Sequence, residues 1–180
     1  MNIEIIPCLN DNYSYLIHDK NSNIVAIIDP SEFAACDNII DKNYKKLDFI
    51  LNTHHHYDHV GGNKELKEKY KSTVLGFEGD KKRIPGIDKF LKDNQEFKIG
   101  KLNFITIFIP GHTKGHIAFY FKKEKVVFTG DTLFSLGCGR IFEGTYEQML
   151  QSLPPTQRRQ LLDGNWDVSE GAAFTEFEYD

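Results

Sequence analysis

Thr53-His54-His55-His56-Tyr57-Asp58-His59 gathers four of the chain's seven histidines into one heptapeptide, directly after the apolar run Phe49-Ile50-Leu51. In an extended segment, side chains two residues apart point to the same side, so His54 and His56 can share one ion. A turn after Tyr57 brings Asp58 and His59 to a second position nearby. The HxHxDH spacing therefore offers two half-sites, and imidazole with carboxylate donors suits zinc or iron. A purification tag or a surface loop is also histidine-rich. This run, however, follows a buried type of strand, contains an aspartate and leads into Val60-Gly61-Gly62.

Two further polar clusters lie at the ends of apolar runs. Pro110-Gly111-His112-Thr113-Lys114-Gly115-His116 adds a nitrogen ligand at His112, and Thr129-Gly130-Asp131-Thr132 places a carboxylate after Val126-Val127-Phe128. One oxygen of Asp131 can bind each of two ions and bridge them. His116 is expected to orient a neighbour or fill space rather than act as a ligand. Either cluster alone is weak evidence; three strand ends delivering ligands in this order are far more specific.

The rest of the chain fits an α/β protein with its chemistry at strand ends. Short runs rich in β-branched and aromatic residues predict strands at 3–7, 13–17, 24–29, 49–53, 73–77, 104–109, 117–121 and 126–129. Interleaved charged and apolar residues predict helices at 32–45, 62–70 and 145–153. The 180 residues, with 40% hydrophobic, 13% aromatic and 27% charged side chains, describe one domain able to bury a core. No apolar run approaches the roughly 18 residues that a membrane span requires. The net charge of −4 gives no electrostatic reason to expect nucleic acid. A small-molecule partner is expected, with no membrane association and a monomeric state. The start, Met1-Asn2-Ile3-Glu4-Ile5-Ile6-Pro7, lacks the basic and apolar regions of a secretory signal, so the expected location is cytoplasmic. Cys8, Cys36 and Cys138 share no CxxC spacing and read as reduced thiols.

At these ligand clusters the chain resembles the metallo-β-lactamase superfamily. The likeness sharpens at Gly130-Asp131-Thr132-Leu133-Phe134 and at Gly137-Cys138-Gly139-Arg140-Ile141-Phe142-Glu143-Gly144-Thr145, which resemble glyoxalase II, the hydroxyacylglutathione hydrolases. It runs from Ile6-Pro7 through Asp11-Asn12-Tyr13 to about Leu153. The resemblance implies an αββα sandwich, incomplete at the C-terminus, and two zinc sites, with iron or manganese as other candidates. His54, His56 and His112 would hold the first ion, Asp58 and His59 the second, and Asp131 would bridge. Arg140 would lie on the glutathione side, while His55 and Tyr57 occupy variable positions. Asp58 is also the candidate catalytic residue, holding a water-derived nucleophile by hydrogen bonding.

After Pro155 the family pattern gives way. A family member would continue with a strand bearing Cys-Gly-His-Glu-Tyr and then a glutathione-gripping helical domain, yet no histidine follows His116. The second ion, left with Asp58, His59, Asp131 and solvent, is expected to bind weakly. All lysines lie at or before Lys125, and residues 151–180 carry two arginines and six acids. The stretch 158–171 resembles a short piece of phage terminase large subunits, too short to imply a nuclease. Residues 1–153 therefore read as the metal-binding domain and 154–180 as an atypical acidic tail. The leading reading is a hydrolase of glutathione thioesters, converting S-lactoylglutathione to lactate and glutathione, with activity impaired by truncation. An iron-dependent persulfide dioxygenase, using His54, His112 and Asp131, and a non-enzymatic remnant are the alternatives.

Overall fold

The computed structural model describes residues 1–134 and 137–151. Strands β1 (Asn2–Cys8), β2 (Asn12–Asp19) and β3 (Ile24–Ile28) form an antiparallel meander. Helix α1 (Phe33–Asn43) then crosses to β4 (Phe49–Leu51), which lies parallel to β3. A single helical turn, α2 (Tyr57–Val60), and helix α3 (Asn63–Tyr70) lead to β5 (Thr73–Phe77) and β6 (Lys89–Leu91), completing a six-stranded sheet in sequential order. The chain then builds a second, antiparallel sheet from β7 (Glu96–Ile99), β8 (Leu102–Phe108), β9 (Ile117–Phe121) and β10 (Val126–Phe128), followed by helix α4 (Tyr146–Gln151). The boundary expected at 153 and the acidic tail 154–180 lie outside the described residues.

Period-two alternation explains the layering. In β3, Val25 and Ile27 face α1 and α3, where they meet Cys36, Ile40 and Leu66. Ala26 and Ile28 face the other sheet and pack with Phe104, Phe119 and Phe121. Leu16 and Ile17, Ile50 and Leu51, and Val74 and Leu75 divide between the same two cores. No helix among the described residues is long and apolar enough to cross a membrane.

The eight expected strands all form, with shifted ends: β3 and β4 stop at Ile28 and Leu51, so Asp29 and Thr53 lie beyond them, and β8 begins at Leu102. Strands β6 and β7 were not legible in the sequence. Both are short edge strands whose lysines face water, and a charged edge discourages pairing with other chains while erasing the apolar signal.

The two sheets are tied at their far end by Asp19, which is 1% exposed. It accepts the Lys101 N–H at 2.9 Å, the Asn21 N–H at 3.1 Å and the Ser22 hydroxyl. The Ser22 hydrogen bond, opposed by burial, holds the Asp19 carboxyl below its ordinary 3.8. A depressed carboxylate stabilises the fold above its unfolded pKa, and this contribution disappears as pH falls through the folded value. Asp19→Asn is therefore expected to cost about 1–3 kcal/mol near neutral pH. Urea unfolding should show that deficit shrinking once the pH drops below 3.8.

Candidate metal centre

Parallel pairing of β3 and β4 brings Asp29 and Thr53 to one edge of the larger sheet. In the second sheet β8 and β10 both pair antiparallel with β9, so His112 and Asp131 emerge at a common edge as well. The Ile117 N–H donates to the Thr53 carbonyl at 2.9 Å, joining the sheets where the ligand loops meet. The chain thus delivers its polar clusters to the carboxyl ends of strands, the usual place for a site in such sheets.

His54, His56 and His112 form the first set. One nitrogen from each falls within 4.8 Å of the others. The His112 Nδ1–H donates to the Arg140 carbonyl at 2.5 Å, which turns the Nε2 lone pair inward, 2.9 Å from His56 Nδ1. His54 is orientated the same way: Nδ1 meets the Thr53 hydroxyl at 3.0 Å, and the buried Nε2 has no hydrogen-bond partner. Burial, reinforced by the neighbouring imidazoles, pushes the pKa of His54 well below the usual range. Burial and His112 lower that of His56. Three imidazoles with converging nitrogens, that of His54 buried without a partner, fit a metal ion.

The second set is built on α2, a one-turn helix where the sequence suggested a simple turn. His59 is buried, with Nδ1 3.1 Å from Asp29 Oδ2 and Nε2 3.1 Å from Asp131 Oδ1. Burial lowers its pKa, but the flanking carboxylates of Asp131 and Asp29 outweigh that and push it up to about 10. Asp58 is half-exposed; its Oδ2 accepts from the Asn12 amide at 2.9 Å and lies 3.6 Å from His59 Nε2. Asp131 spans both sets, since its other oxygen, Oδ2, lies 3.4 Å from His112 Nε2. Burial would raise its carboxyl, yet the His59 hydrogen bond and the surrounding imidazoles hold it low. All six candidate ligands named from the sequence therefore converge. Arg140 also reaches the site, with its carbonyl on His112 and its guanidinium 5.9 Å above the Phe142 ring.

Several supporting residues were not named from the sequence. Asp29 is buried with φ +49°, and its carboxylate accepts the Thr53 N–H at 2.7 Å, the Thr53 hydroxyl at 2.6 Å and His59 Nδ1. It therefore fixes His59 directly and His54 through Thr53. Its geometry also groups it with His54 and His59 as a possible ligand, but both its oxygens are already engaged. His116, fully buried and lowered to about 3 by burial and then by His112, accepts the Asp131 N–H at 3.2 Å. It orients a neighbour, one of the two roles expected. Gly130 takes φ +48°, and a Cβ there would come 2.5 Å from Thr53 Oγ1 and 2.8 Å from the His116 ring, so Asp131 is presented by a turn that excludes side chains. Partners that orient ligands typically matter 10–100-fold in affinity. Asp29→Asn, which keeps the shape but loses an acceptor and the charge, is expected to weaken metal binding by about that factor. Competition with a chelator measures it.

Beside Asp58, His59 and Asp131 a cleft of about 780 Å³ opens between the sheets, with Ile5, Tyr13 and Phe134 among its apolar walls. The acids therefore face a space large enough for a small organic molecule.

Six candidate ligands, imidazoles and carboxylates, thus converge at the carboxyl ends of strands in two stacked sheets, and the chain belongs to the metallo-beta-lactamase superfamily, whose family model matches residues 10–163. The curated relatives carry a more particular name. Hydroxyacylglutathione hydrolase of Pelagibacter ubique is 59% identical over 153 residues, 85% of this chain and 64% of the relative. That of Brucella anthropi is 46% identical over 176 residues, 98% of this chain and 66% of the relative. The chain thus spans less than two thirds of the length of these relatives. Among solved structures, the BLEG-1 B3 metallo-beta-lactamase superposes with a TM-score of 0.76 at 24% identity, covering 84% of this chain and 83% of that one. ETHE1 from Myxococcus xanthus gives 0.73 at 28% identity, covering 84% and 68%.

Proposed function

We propose that this chain is a metal-dependent hydrolase of glutathione thioesters, converting S-lactoylglutathione and water to lactate and glutathione. The observation that carries the hydrolytic reading is the inward convergence of His54, His56 and His112, with Asp131 stretched from His112 to His59. The substrate class is supported by the relatives, which are named hydroxyacylglutathione hydrolases. The dioxygenase and the inactive remnant gain no comparable support.

His54, His56 and His112 would hold one ion, Asp58 and His59 a second, and Asp131 would bridge them. These donors favour zinc, and iron or manganese also suit them. When bound, such metals draw a nucleophile from water near neutral pH and polarise the acyl carbonyl. The protein's own contribution is placement. Asp58, steadied by Asn12, holds the attacking water by a hydrogen bond on the cleft side. A carbon–oxygen bond forms at the acyl carbon as the water gives up its protons to solvent, the carbon–sulfur bond breaks, and glutathione leaves as the thiolate. Arg140, on the loop that covers His112, supplies positive charge for the carboxylates of the tripeptide. Cys8, Cys36 and Cys138 are free thiols, which suits a reducing cytoplasmic setting. A role in methylglyoxal detoxification follows from the substrate class that the relatives' name supports.

Parallel kinetics with S-lactoylglutathione and a small alkyl thioester test the substrate class. The glutathione ester should be preferred on kcat/KM. Equal values would leave a metal hydrolase but remove glutathione from the account.

A further inference from the structure

His55 lies between two candidate ligands, yet both its ring nitrogens point away from the metal cluster. Nδ1 is 3.0 Å from Asp80 Oδ2, and Nε2 is 3.2 Å from Arg83 Nη1. Asp80 is 0% exposed and closes the 3-10 turn Glu78–Asp80 after β5. Its other oxygen takes a forked contact from Arg83, with Nη2 at 2.5 Å and Nε at 3.1 Å. The remaining arm of the guanidinium, Nη1, donates to Glu143 Oε1 at 2.5 Å. Glu143 Oε2 in turn accepts the Lys114 N–H at 2.8 Å. One arginine thus joins the first histidine loop, the turn after β5, the loop of His112 and the loop 140–144.

The last of these loops has a particular position. Phe142 sets its ring 5.3 Å from both His56 and His112, and its N–H donates to the His112 carbonyl at 3.1 Å. The Gly144 N–H donates to the Gly111 carbonyl at 3.0 Å. These contacts fix the backbone against His112, but only Glu143 ties the loop to the turn after β5 among the contacts just described. An exposed ion pair alone would hold it weakly. Here the guanidinium is already oriented by a fully buried carboxylate, so its free arm is aimed before Glu143 meets it.

We propose that Arg83 is a positioning residue for the reaction: through Glu143 it clamps loop 140–144, with Arg140 and Phe142, over the His56 and His112 side of the site, and so sets how the thioester is held. The proposal rests on the thioester hydrolase reading above. Neither Arg83 nor Glu143 is a candidate ligand, so their loss should leave the metal in place and disturb recognition.

The test compares Arg83→Met, Arg83→Lys and Glu143→Gln with the unaltered chain, all loaded with zinc. Hydrogen exchange read by mass spectrometry on peptides covering 140–144 is expected to accelerate roughly tenfold in Arg83→Met and Glu143→Gln, while peptides from β3 and β4 keep their protection. With metal content unchanged, KM for S-lactoylglutathione should rise by about tenfold with kcat nearly preserved, the signature of lost uniform binding. The small alkyl thioester should show no such rise. Arg83→Lys keeps the charge but lacks the fork, so it should restore little. The double variant Arg83→Met with Glu143→Gln should be no worse than Arg83→Met alone, because the contact that Glu143→Gln weakens is already gone. Glu143→Gln, on a part-exposed side chain, serves if Arg83→Met fails to fold. Unchanged exchange in loop 140–144, or a KM that stays put while the loop loosens, would overturn the proposal. If the unaltered chain does not hydrolyse S-lactoylglutathione yet its loop protection depends on Arg83, the thioester reading fails and the clamp stands.

Discussion

His54→Ala is expected to strip the chain of most of its bound metal and to abolish turnover. The substitution removes the imidazole nitrogen of the first set that is buried without a hydrogen-bond partner, and it leaves His56 and His112 unable to complete a tetrahedral set. The loss should exceed the roughly 10–100-fold that an outer partner of a ligand costs. Elemental analysis after dialysis against zinc measures occupancy directly. Tyr57→Ala is the control: its side chain lies in the same heptapeptide but is 77% exposed, so metal content should not change.

Asp131→Ala is expected to be as damaging for a different reason. Its two oxygens reach His59 and His112, which belong to different half-sites. Without the carboxylate, His59 loses one of the two acceptors flanking it, and neither half-site keeps a shared ligand. The weakly held second ion should be lost, leaving at most one, and turnover should drop by about 10²-fold or more, the scale on which single stabilising groups act in hydrolysis. Asp131→Asn separates bridging from hydrogen bonding: it keeps one oxygen, so partial occupancy with poor turnover is the expected result. Counting bound ions in both variants checks the bridge.

The ligands could be read from the sequence because each cluster is local. His54 and His56 sit two residues apart in an extended stretch, and His112 and Asp131 each follow an apolar run that ends in a polar turn. The short apolar runs of β3, β4 and β5 likewise read as strands, and these lie buried on both faces because their odd and even positions are both apolar. The supporting residues left no such trace. Asp29 meets Thr53 and His59 across 24 and 30 residues, and Arg83 meets Glu143 across 60. An aspartate before a proline reads as an ordinary strand end until the fold shows what its oxygens accept. His55 illustrates the converse. Its place inside the motif suggested a variable position, and only the position of Asp80 reveals that its nitrogens serve a separate network. The one-turn helix at Tyr57–Val60 was also beyond local reading, because Gly61 lies so close to the Ser31 carbonyl that a side chain there would displace it.

Titrating the metal-free chain with zinc while following S-lactoylglutathione hydrolysis tests the central claim most directly. Turnover is predicted to rise from background as zinc is added, to level off once the half-sites are filled, and to vanish with a chelator. A chain that binds zinc at His54, His56 and His112 yet never hydrolyses the thioester, or one that hydrolyses it equally well without metal, would contradict the account.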